Sequence, residues 1–348
     1  MSNVYDWQQA IWQYLTQDLT QPLRCHALLL KGQQGIGKFD FARHLAKSML
    51  CVNPTVKHAA CNVCQSCGWF EQGGHPNYYQ ILPEALSGIA NETIENIESE
   101  SKPSSSKHKK KPSQQISIDQ IRNLTDFVYM SGHQSGYKVI LIYPSEMMNN
   151  AAANALLKKL EEPPEQVLFI LVAHHAQHLL PTIRSRCQQV TMPAPDVKTS
   201  IDWLTQQGVS DPQACLAAAG LAPLTALQFS ESELLSQHEQ FIQQIGMPGQ
   251  LNPITLAVAM QQLDLSIVVS WLQKWCYDLV SYQSGGEVRY YHYQKSAIKA
   301  LVGEMDIQAC IAYSRSLNTC QQLAYHPLNA RLFLEEIFIS YMQLVQKT

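Results

Sequence analysis

Short apolar runs alternate with helical patterns in the first half of the chain. The runs that predict β-strands lie at residues 26–30, 78–82, 138–143, 167–172 and 187–192. Two of them, VILIY at 139–143 and VLFILV at 167–172, are continuously apolar, which is typical of parallel strands covered on both faces. Helical patterns lie between the strands, near 38–51, 118–130, 148–161 and 176–184. Strands that alternate with helices predict a doubly wound α/β domain with a parallel sheet.

The strand signal stops after Pro193 and Pro195, and the remaining chain shows one helical pattern after another. Examples of these patterns lie at 199–207, 254–262, 266–280 and 328–344. We therefore predict an α/β domain over residues 1–194, a small helical domain over 195–235 and a larger helical domain over 236–348.

The composition is that of a folded protein with a sizeable core, since 46% of the 348 residues are hydrophobic and 15% are charged. The net charge of −3 argues against a chain that binds nucleic acid through bulk positive charge. No apolar run reaches the roughly 18 residues of a membrane helix, and the first residues do not read as a signal peptide. We expect a cytoplasmic protein without membrane contact, whose ten cysteines stay reduced.

One stretch of the α/β domain has no apolar character. Residues 98–115 contain six Ser, five Lys and two Pro but no aliphatic or aromatic residue. Such a stretch cannot bury enough surface to offset the entropy of ordering, so we predict a flexible insertion over about 86–115. Its KHKKK run could contact phosphates, although a solvated insertion is the favoured interpretation.

A glycine-rich loop follows the first strand and opens the first long helix. Gly32, Gly35, Gly37 and Lys38 match the pattern G-x-x-x-x-G-K, in which backbone N–H groups and the lysine bind phosphate oxygens. The next position should carry a Ser or Thr hydroxyl for Mg²⁺, but it is Phe39. A glycine-rich turn without phosphate-binding ancestry is the alternative interpretation of this loop.

Hydrolysis of ATP also requires acidic residues at the end of another strand, where they hold Mg²⁺ and position water. Tyr143 and Pro144 stand where these acids are needed, and Glu146 lies three residues past the end of the strand, where its carboxylate is misplaced. We therefore expect a degenerate site without ATP hydrolysis, and we leave residual nucleotide binding through Lys38 open.

Four cysteines lie within 17 residues, with the spacing C-x9-C-x2-C-x2-C: Cys51, Cys61, Cys64 and Cys67. Each Cys-x2-Cys step lets two sulfurs reach one ion, and a closed four-thiolate site is typical of structural zinc. An iron–sulfur cluster is the rival interpretation. His58 and His75 are spare ligands, which we expect at the surface.

Several features occur together: the P-loop strand, the cysteine insertion after the first helix, the run AAANALLKKLEEPP at 151–164, and Ser185-Arg186-Cys187. This combination closely resembles the delta-prime subunits of bacterial DNA polymerase III clamp loaders, which are AAA+ proteins. The resemblance is strong over about residues 24–192, apart from the insertion at 86–115. It is weaker in the C-terminal half, where LNARLFLEEIFI at 328–339 looks like the last helix of the family.

The resemblance implies an AAA+ α/β module with a zinc-binding insertion at 51–67, a helical lid over 195–235 and an all-α collar over 236–348 that serves assembly. It implies a stator that does not hydrolyse ATP itself and is a component of a DNA-directed DNA polymerase holoenzyme. The implied partners are ATPase subunits of the gamma/tau type, a delta subunit and, through the complex, the sliding clamp and primed DNA.

The resemblance also assigns Arg186 a role in catalysis, as an arginine finger that reaches the ATP of a neighbouring subunit. Arg184 is a second candidate for this role, and a structural arginine that caps the helix before strand 187–192 is the alternative for Arg186. In active relatives the lid contributes a further arginine through a Gly-x-x-Arg pattern. The corresponding stretch here begins at Gly220 and has Pro223 in the arginine position.

Two segments keep two interpretations each. In the helix at 151–162, Ala155, Leu156 and Leu160 suit a core-facing stripe. The charged residues of this helix form either a solvated face or a contact with a neighbouring subunit: Lys158, Lys159, Glu161 and Glu162. The segment YYHY at 290–293 suits packing in the helical domain better than stacking on nucleic-acid bases.

Two other functions compete with the stator. The first is an active P-loop ATPase subunit of the same type of complex, which Phe39, Tyr143, Pro144 and Pro223 argue against. The second is a zinc-dependent DNA-binding protein that acts alone, and the net charge of −3 argues against it.

Overall fold

The computed structural model describes residues 4–16, 25–55, 58–86, 113–129, 136–230, 234–303, 305–324 and 328–346. The chain forms two compact units, Met1–Pro195 and Asp196–Thr348. Most of the predicted insertion at 86–115, namely residues 87–112, lies outside the described residues.

A parallel sheet forms the centre of the first unit. Its strands are β1 (Ala27–Lys31), β2 (Tyr78–Ile81), β3 (Lys138–Ile142), β4 (Val167–Ala173) and β5 (Gln188–Thr191), in the spatial order β2-β3-β4-β1-β5. Every pair of neighbouring strands is parallel. Each strand lies within two residues of its predicted position, and the predicted class, an α/β P-loop module followed by helices, is confirmed.

Both faces of the sheet are covered by apolar packing, which explains the continuous apolar runs. Strand β4 is buried along its whole length. Because side chains alternate between the faces of a strand, Phe169 enters one hydrophobic cluster and Ile170 enters another. The neighbouring strand β1 divides in the same way, with Leu29 on the first side and Leu30 on the second.

Helices connect and flank these strands. They are α1 (Gln9–Thr16), α2 (Lys38–Leu50), α3 (Gln65–Glu71), α4 (Ile118–Arg122), α5 (Leu124–Tyr129), α6 (Asn150–Glu161) and α7 (Pro181–Arg186). The helix expected over 118–130 is divided at Asn123, and Ile121 and Leu124 on the two sides of the division are both fully buried. Helices α2 and α7 follow the carboxyl ends of β1 and β4, so that chemistry-bearing residues gather at one edge of the sheet.

The two ends of the segment at 87–112 are joined by hydrogen bonds. The backbone N–H of Ala85 donates to the carbonyl of Ser113 at 3.0 Å, and the N–H of Ser113 donates to Glu84 Oε2 at 3.1 Å. A capping box at Ser117 and Gln120 then starts α4 sharply. The described residues on the two sides of this segment therefore meet at one place of the α/β unit.

The second unit is helical wherever it is described. Its helices are α8 (Val197–Gln206), α9 (Pro212–Ala218), α10 (Pro223–Ser230), α11 (Leu234–Ile245), α12 (Pro253–Met260), α13 (Leu265–Gln283), α14 (Lys295–Val302), α15 (Ile307–Leu323) and α16 (Ala330–Val345). Phe229 of α10 packs on Trp271 of α13, with ring centroids 6.2 Å apart, in one shared core. A boundary between lid and collar near residue 235 stays a prediction.

The aromatic segment before α14 belongs to this core. Tyr291 is fully buried, and the buried carboxylate of Asp278 accepts hydrogen bonds from the backbone N–H groups of Arg289, Tyr290 and Tyr291. The packing interpretation is therefore confirmed for Tyr291, whereas Tyr293 is half exposed. Among the described helices of the chain, none is both long enough and apolar enough to cross a bilayer.

Candidate functional sites on the α/β unit

The glycine-rich loop lies between β1 and α2, where a phosphate cradle requires it. Gly37, the residue before α2, has a left-handed backbone with φ +82°. A Cβ at this position would lie only 2.4 Å from the Tyr5 ring, so glycine is required for both backbone and space. The structure thus keeps the shape of a P-loop.

Lys38 directs its ammonium group back into its own loop. Nζ donates to the carbonyl of Gly32 at 2.7 Å and to the carbonyl of Gln33 at 2.5 Å. A third hydrogen bond joins Nζ to His174 Nδ1 at 2.9 Å. Because a lysine ammonium has three N–H donors, the chain itself engages all of them.

The electrostatics of this contact follow from burial. Burial lowers the pKa of Lys38 to about 8, although the nearby carboxylate of Glu146 opposes the shift. Burial, helped by the charge of Lys38, lowers the pKa of His174 to about 3. At neutral pH His174 is therefore uncharged, and its Nδ1 accepts a hydrogen bond from Lys38.

The N-terminal segment before α1 lies against the outer side of the loop. Trp7 Nε1 donates to the carbonyl of Ile36 at 3.1 Å. Gln8 Nε2 donates to the carbonyls of Ile36 and Gly37, at 2.8 and 3.1 Å. Tyr5 stacks on Trp7, with ring centroids 4.7 Å apart. We call Tyr5, Trp7 and Gln8 the N-terminal clamp, because they hold the loop from a distant part of the sequence.

Aromatic packing joins the two positions where Mg²⁺ ligands are missing. Phe39 packs on Tyr143, with ring centroids 4.6 Å apart, and Tyr143 meets the edge of His174 at 5.4 Å. The carboxylate of Glu146 accepts hydrogen bonds from the backbone N–H groups of His174 and His175, at 2.7 and 3.1 Å. Glu146 therefore ties two loops together at the end of β4.

The four clustered cysteines converge between α2 and α3. Their sulfur atoms all lie within 4.8 Å of one another, with Cys51 and Cys64 at 3.9 Å and Cys61 and Cys67 at 4.0 Å. A tetrahedral zinc ion with bonds of about 2.3 Å places its sulfur ligands about 3.8 Å apart, so the four thiols fit such an ion. The backbone N–H groups of Cys61 and Cys67 donate to cluster sulfurs at 3.3 and 3.4 Å.

Polar side chains fix this cysteine module to the unit. Lys47 of α2 contacts the side chains of Asn62 and Glu71 on either side of the cluster. Ser66 Oγ donates to the carbonyl of Leu50 at 2.5 Å and lies 2.9 Å from Nε2 of His75. The expectation of a surface position is wrong for His75, which is only 5% exposed because it supports Ser66 and Asn77.

Arg186 is the last residue of α7, and more than a third of its side chain is exposed. Nη2 pairs with Oε1 of Glu161 at 2.8 Å, and Nη1 donates to the carbonyl of Thr182 at 3.1 Å. The second contact is the helix-capping role considered above, made within its own helix. Arg184 is half buried, and its Nε is enclosed without a hydrogen-bond partner in the described part of the chain.

The charged face of helix α6 makes contacts within this chain, and its contact with a neighbouring subunit stays a prediction. Leu156 and Leu160 are buried in the core as expected. Lys159 Nζ donates to Thr125 Oγ1 at 2.7 Å, and Glu161 contacts Arg186.

Pro223, which the sequence analysis places at the position of the lid arginine, lies in the second unit. It is buried and is the first residue of α10.

A family model described as "DNA polymerase III, delta subunit" matches residues 7–196. The DNA polymerase III subunit delta' of Pseudomonas aeruginosa is 34% identical over 289 residues, which cover 81% of this chain and 79% of that protein. The chain belongs to the delta' family of DNA polymerase III. The delta' subunit of Yersinia pestis is 29% identical and covers 97% of this chain, with 95% of its own length aligned.

Among solved structures, a DNA polymerase III gamma subunit-related protein of Thermotoga maritima is similar to this chain. It has 17% sequence identity and a TM-score of 0.43, and the alignment covers 96% of this chain and 99% of that protein.

Sequence reasoning missed two partners of the P-loop in this member of the delta' family. The N-terminal clamp is 28 residues or more from its hydrogen-bond acceptors, and no local pattern connects the two. His174 follows directly after β4, and its position at the carboxyl edge of a parallel sheet was the signal that could have found it.

Proposed function

We propose that this chain is the stator of a clamp-loader complex of DNA polymerase III, which loads the sliding clamp onto primed DNA. The stator does not hydrolyse ATP itself. The observation that carries this proposal is the engagement of Lys38, whose three donors are bound by Gly32, Gln33 and His174. A phosphate would have to displace these contacts in order to reach the ammonium group.

Three further residues support the absence of hydrolysis. Phe39 and Tyr143 pack on each other where a hydroxyl and a carboxylate would be needed to hold Mg²⁺. Glu146, the nearby acid, is engaged by two backbone N–H groups. A metal-dependent attack of water on ATP would therefore lack the two usual Mg²⁺ ligands at positions 39 and 143.

Arg186 is the contribution of this chain to catalysis in the complex. Its exposed guanidinium would reach the ATP bound by a neighbouring ATPase subunit of the gamma/tau type and neutralise charge on the transferred phosphoryl group. The neighbouring site is incomplete until the two subunits meet, which couples hydrolysis to assembly. A delta subunit completes the set of proposed partners.

The cysteine module would hold zinc in a structural role. Cys51, Cys61, Cys64 and Cys67 supply four thiolates, which leave no coordination position for water or substrate. The ion would fix the connection between α2 and α3.

The test is the ATPase activity of a reconstituted loader, stimulated by clamp and primed DNA, with wild-type chain or the Arg186→Ala variant. Arginine fingers contribute about 10³- to 10⁵-fold in well-studied GTPases, so the neighbouring site should lose its measurable turnover while the complex still assembles. Arg184→Ala is the matched control, because it removes an arginine from the same helix.

Full activity with Arg186→Ala would contradict the finger role. A loss confined to Arg184→Ala would transfer that role to Arg184. Failure of the wild-type chain to assemble with the ATPase and delta subunits would contradict the stator function as a whole.

A further inference from the structure

Arg186 is held at two points by different parts of the α/β unit. Thr182 lies one turn earlier in α7, whereas Glu161 is the last residue of α6, 25 positions away in the sequence. Contacts at both terminal nitrogens restrict the rotation of a guanidinium more than a single contact does.

The position of Glu161 is itself well defined. Helix α6 ends at this residue, and Pro163 and Pro164 follow, which cannot continue the helix. Leu156 and Leu160 are almost completely buried and anchor the same helix to the core on one side of the sheet. The carboxylate is therefore presented to Arg186 from a rigid element.

The hold leaves most of the guanidinium available. An arginine has five N–H donors, of which the contact with Thr182 uses one on Nη1, whereas Glu161 contacts Nη2 as an ion pair. The N–H groups outside these two contacts have no partner in the part of the chain that the structure describes. An incoming phosphate can bind these groups while the side chain stays in place.

We infer that Glu161 is a positioning residue for Arg186, which orients the guanidinium toward the phosphate of the neighbouring subunit before the subunits meet. This inference rests on the proposed trans role of Arg186. Without Glu161, the long side chain would sample many rotamers and lose part of the advantage of a prearranged finger.

The experiment compares Glu161→Gln with Glu162→Gln in the reconstituted loader. Both variants remove one exposed carboxylate at the end of α6, but only Glu161 contacts Arg186. Glu161→Gln should lower kcat of the stimulated ATPase about two- to fivefold, the range available to an exposed ion pair. KM for ATP should stay unchanged, because the neighbour's own loop binds ATP, and Glu162→Gln should behave as wild type.

Two readouts separate positioning from a merely structural effect. In an Arg186→Ala background, Glu161→Gln should cause no further loss of kcat, since the residue it positions is gone. In the isolated full-length chain, ¹⁵N relaxation of the Arg186 Nε–H group should report an ordered side chain in wild type and Glu162→Gln, and a mobile one in Glu161→Gln.

An unchanged or raised kcat for Glu161→Gln, while Arg186→Ala abolishes turnover, would overturn this inference alone. A further loss in the Arg186→Ala background would also overturn it, because Glu161 would then act on something else. Full activity of Arg186→Ala would contradict both the proposed arginine-finger role and the positioning role of Glu161.

Discussion

The binding groups at the two ends of helix α2 differ in whether the chain itself supplies their partners. At the first residue of the helix, the ammonium group of Lys38 is bound by two carbonyls of the glycine-rich loop and by His174, and Gln8 of the N-terminal clamp donates to a carbonyl of the loop. Immediately after its last residue, Cys51 joins three other thiols that have only weak contacts with backbone N–H groups and one another. At one end the chain supplies the partners of the ammonium group, whereas at the other end the proposed zinc ion would be the partner of the four thiols.

This difference bears on the proposed absence of ATP hydrolysis at the glycine-rich loop. A phosphate cradle presents N–H donors and an ammonium, and carbonyls and imidazoles of the same chain can satisfy such groups. Four adjacent thiols can all ionise only when a divalent cation offsets the repulsion between the thiolates. Internal contacts can therefore occupy the ammonium group of the loop, whereas the four cysteines would require an ion.

The largest effect is expected from removing the metal. Purified without chelator, the chain should contain zinc, and Cys64→Ser should lose it together with on the order of 5 kcal/mol of unfolding free energy, since structural zinc binding is folding free energy. Elemental analysis and thermal unfolding measure the two quantities.

Cys320→Ser is the matched control for this substitution, because Cys320 is a half-buried cysteine outside the cluster. It should keep both the metal and the melting temperature. A metal-free chain that is stably folded, or iron in place of zinc, would break the proposed contrast at this end of α2.

A smaller effect is expected where the N-terminal clamp meets the loop. Gly37→Ala should destabilise the α/β unit by about 3 kcal/mol, because it combines a left-handed backbone with a clash against Tyr5. Gly208→Ala shares the left-handed backbone, at φ +83°, but its Cβ would meet open space, so it should cost only about 1 to 2 kcal/mol.

Denaturant unfolding of the two variants measures the difference. Adding Tyr5→Ala to Gly37→Ala should recover part of the loss, because the clash is removed and only the backbone strain remains. Equal destabilisation by both glycine substitutions would mean that the clamp does not press on the loop.

The smallest effect is expected for the affinity for Mg-ATP when the missing hydroxyl is restored. Phe39→Thr restores the missing hydroxyl but leaves Lys38 bound to Gly32, Gln33 and His174. Neither wild type nor this variant should show saturable Mg-ATP binding below about 1 mM in calorimetric titrations, a ceiling near 4 kcal/mol of binding free energy. Micromolar, Mg²⁺-dependent binding by wild type would favour the active ATPase instead.

The strands of the sheet were predictable because a strand that is buried on both faces is apolar at every position, and such a run is visible in the sequence. Runs such as 139–143 and 167–172 have no polar position, and the observed strands agree with them within two residues. The division of the helix at 118–130 was not predictable, because Ile121 and Leu124 fit the stripe of one continuous helix equally well.

In the candidate sites, the residues of local motifs were predictable from the sequence, whereas the residues whose partners are distant in the sequence were not. The P-loop and the cysteines are local motifs, and the sequence names their residues. His75 was misplaced because a histidine near cysteines gives no sign of the buried serine that it supports. Glu161 stayed ambiguous because Arg186, its partner, is 25 positions away and meets it only in the folded unit.

The hydrogen bonds between Ala85, Glu84 and Ser113 have a practical consequence for handling the protein. The free-energy cost of closing a loop between fixed ends rises by only about 0.6 kcal/mol with each doubling of the loop length. The stretch at 87–112 is therefore the place to insert an affinity tag or a fluorescent label, since both its ends are already tied beside β2 and the sheet need not adjust.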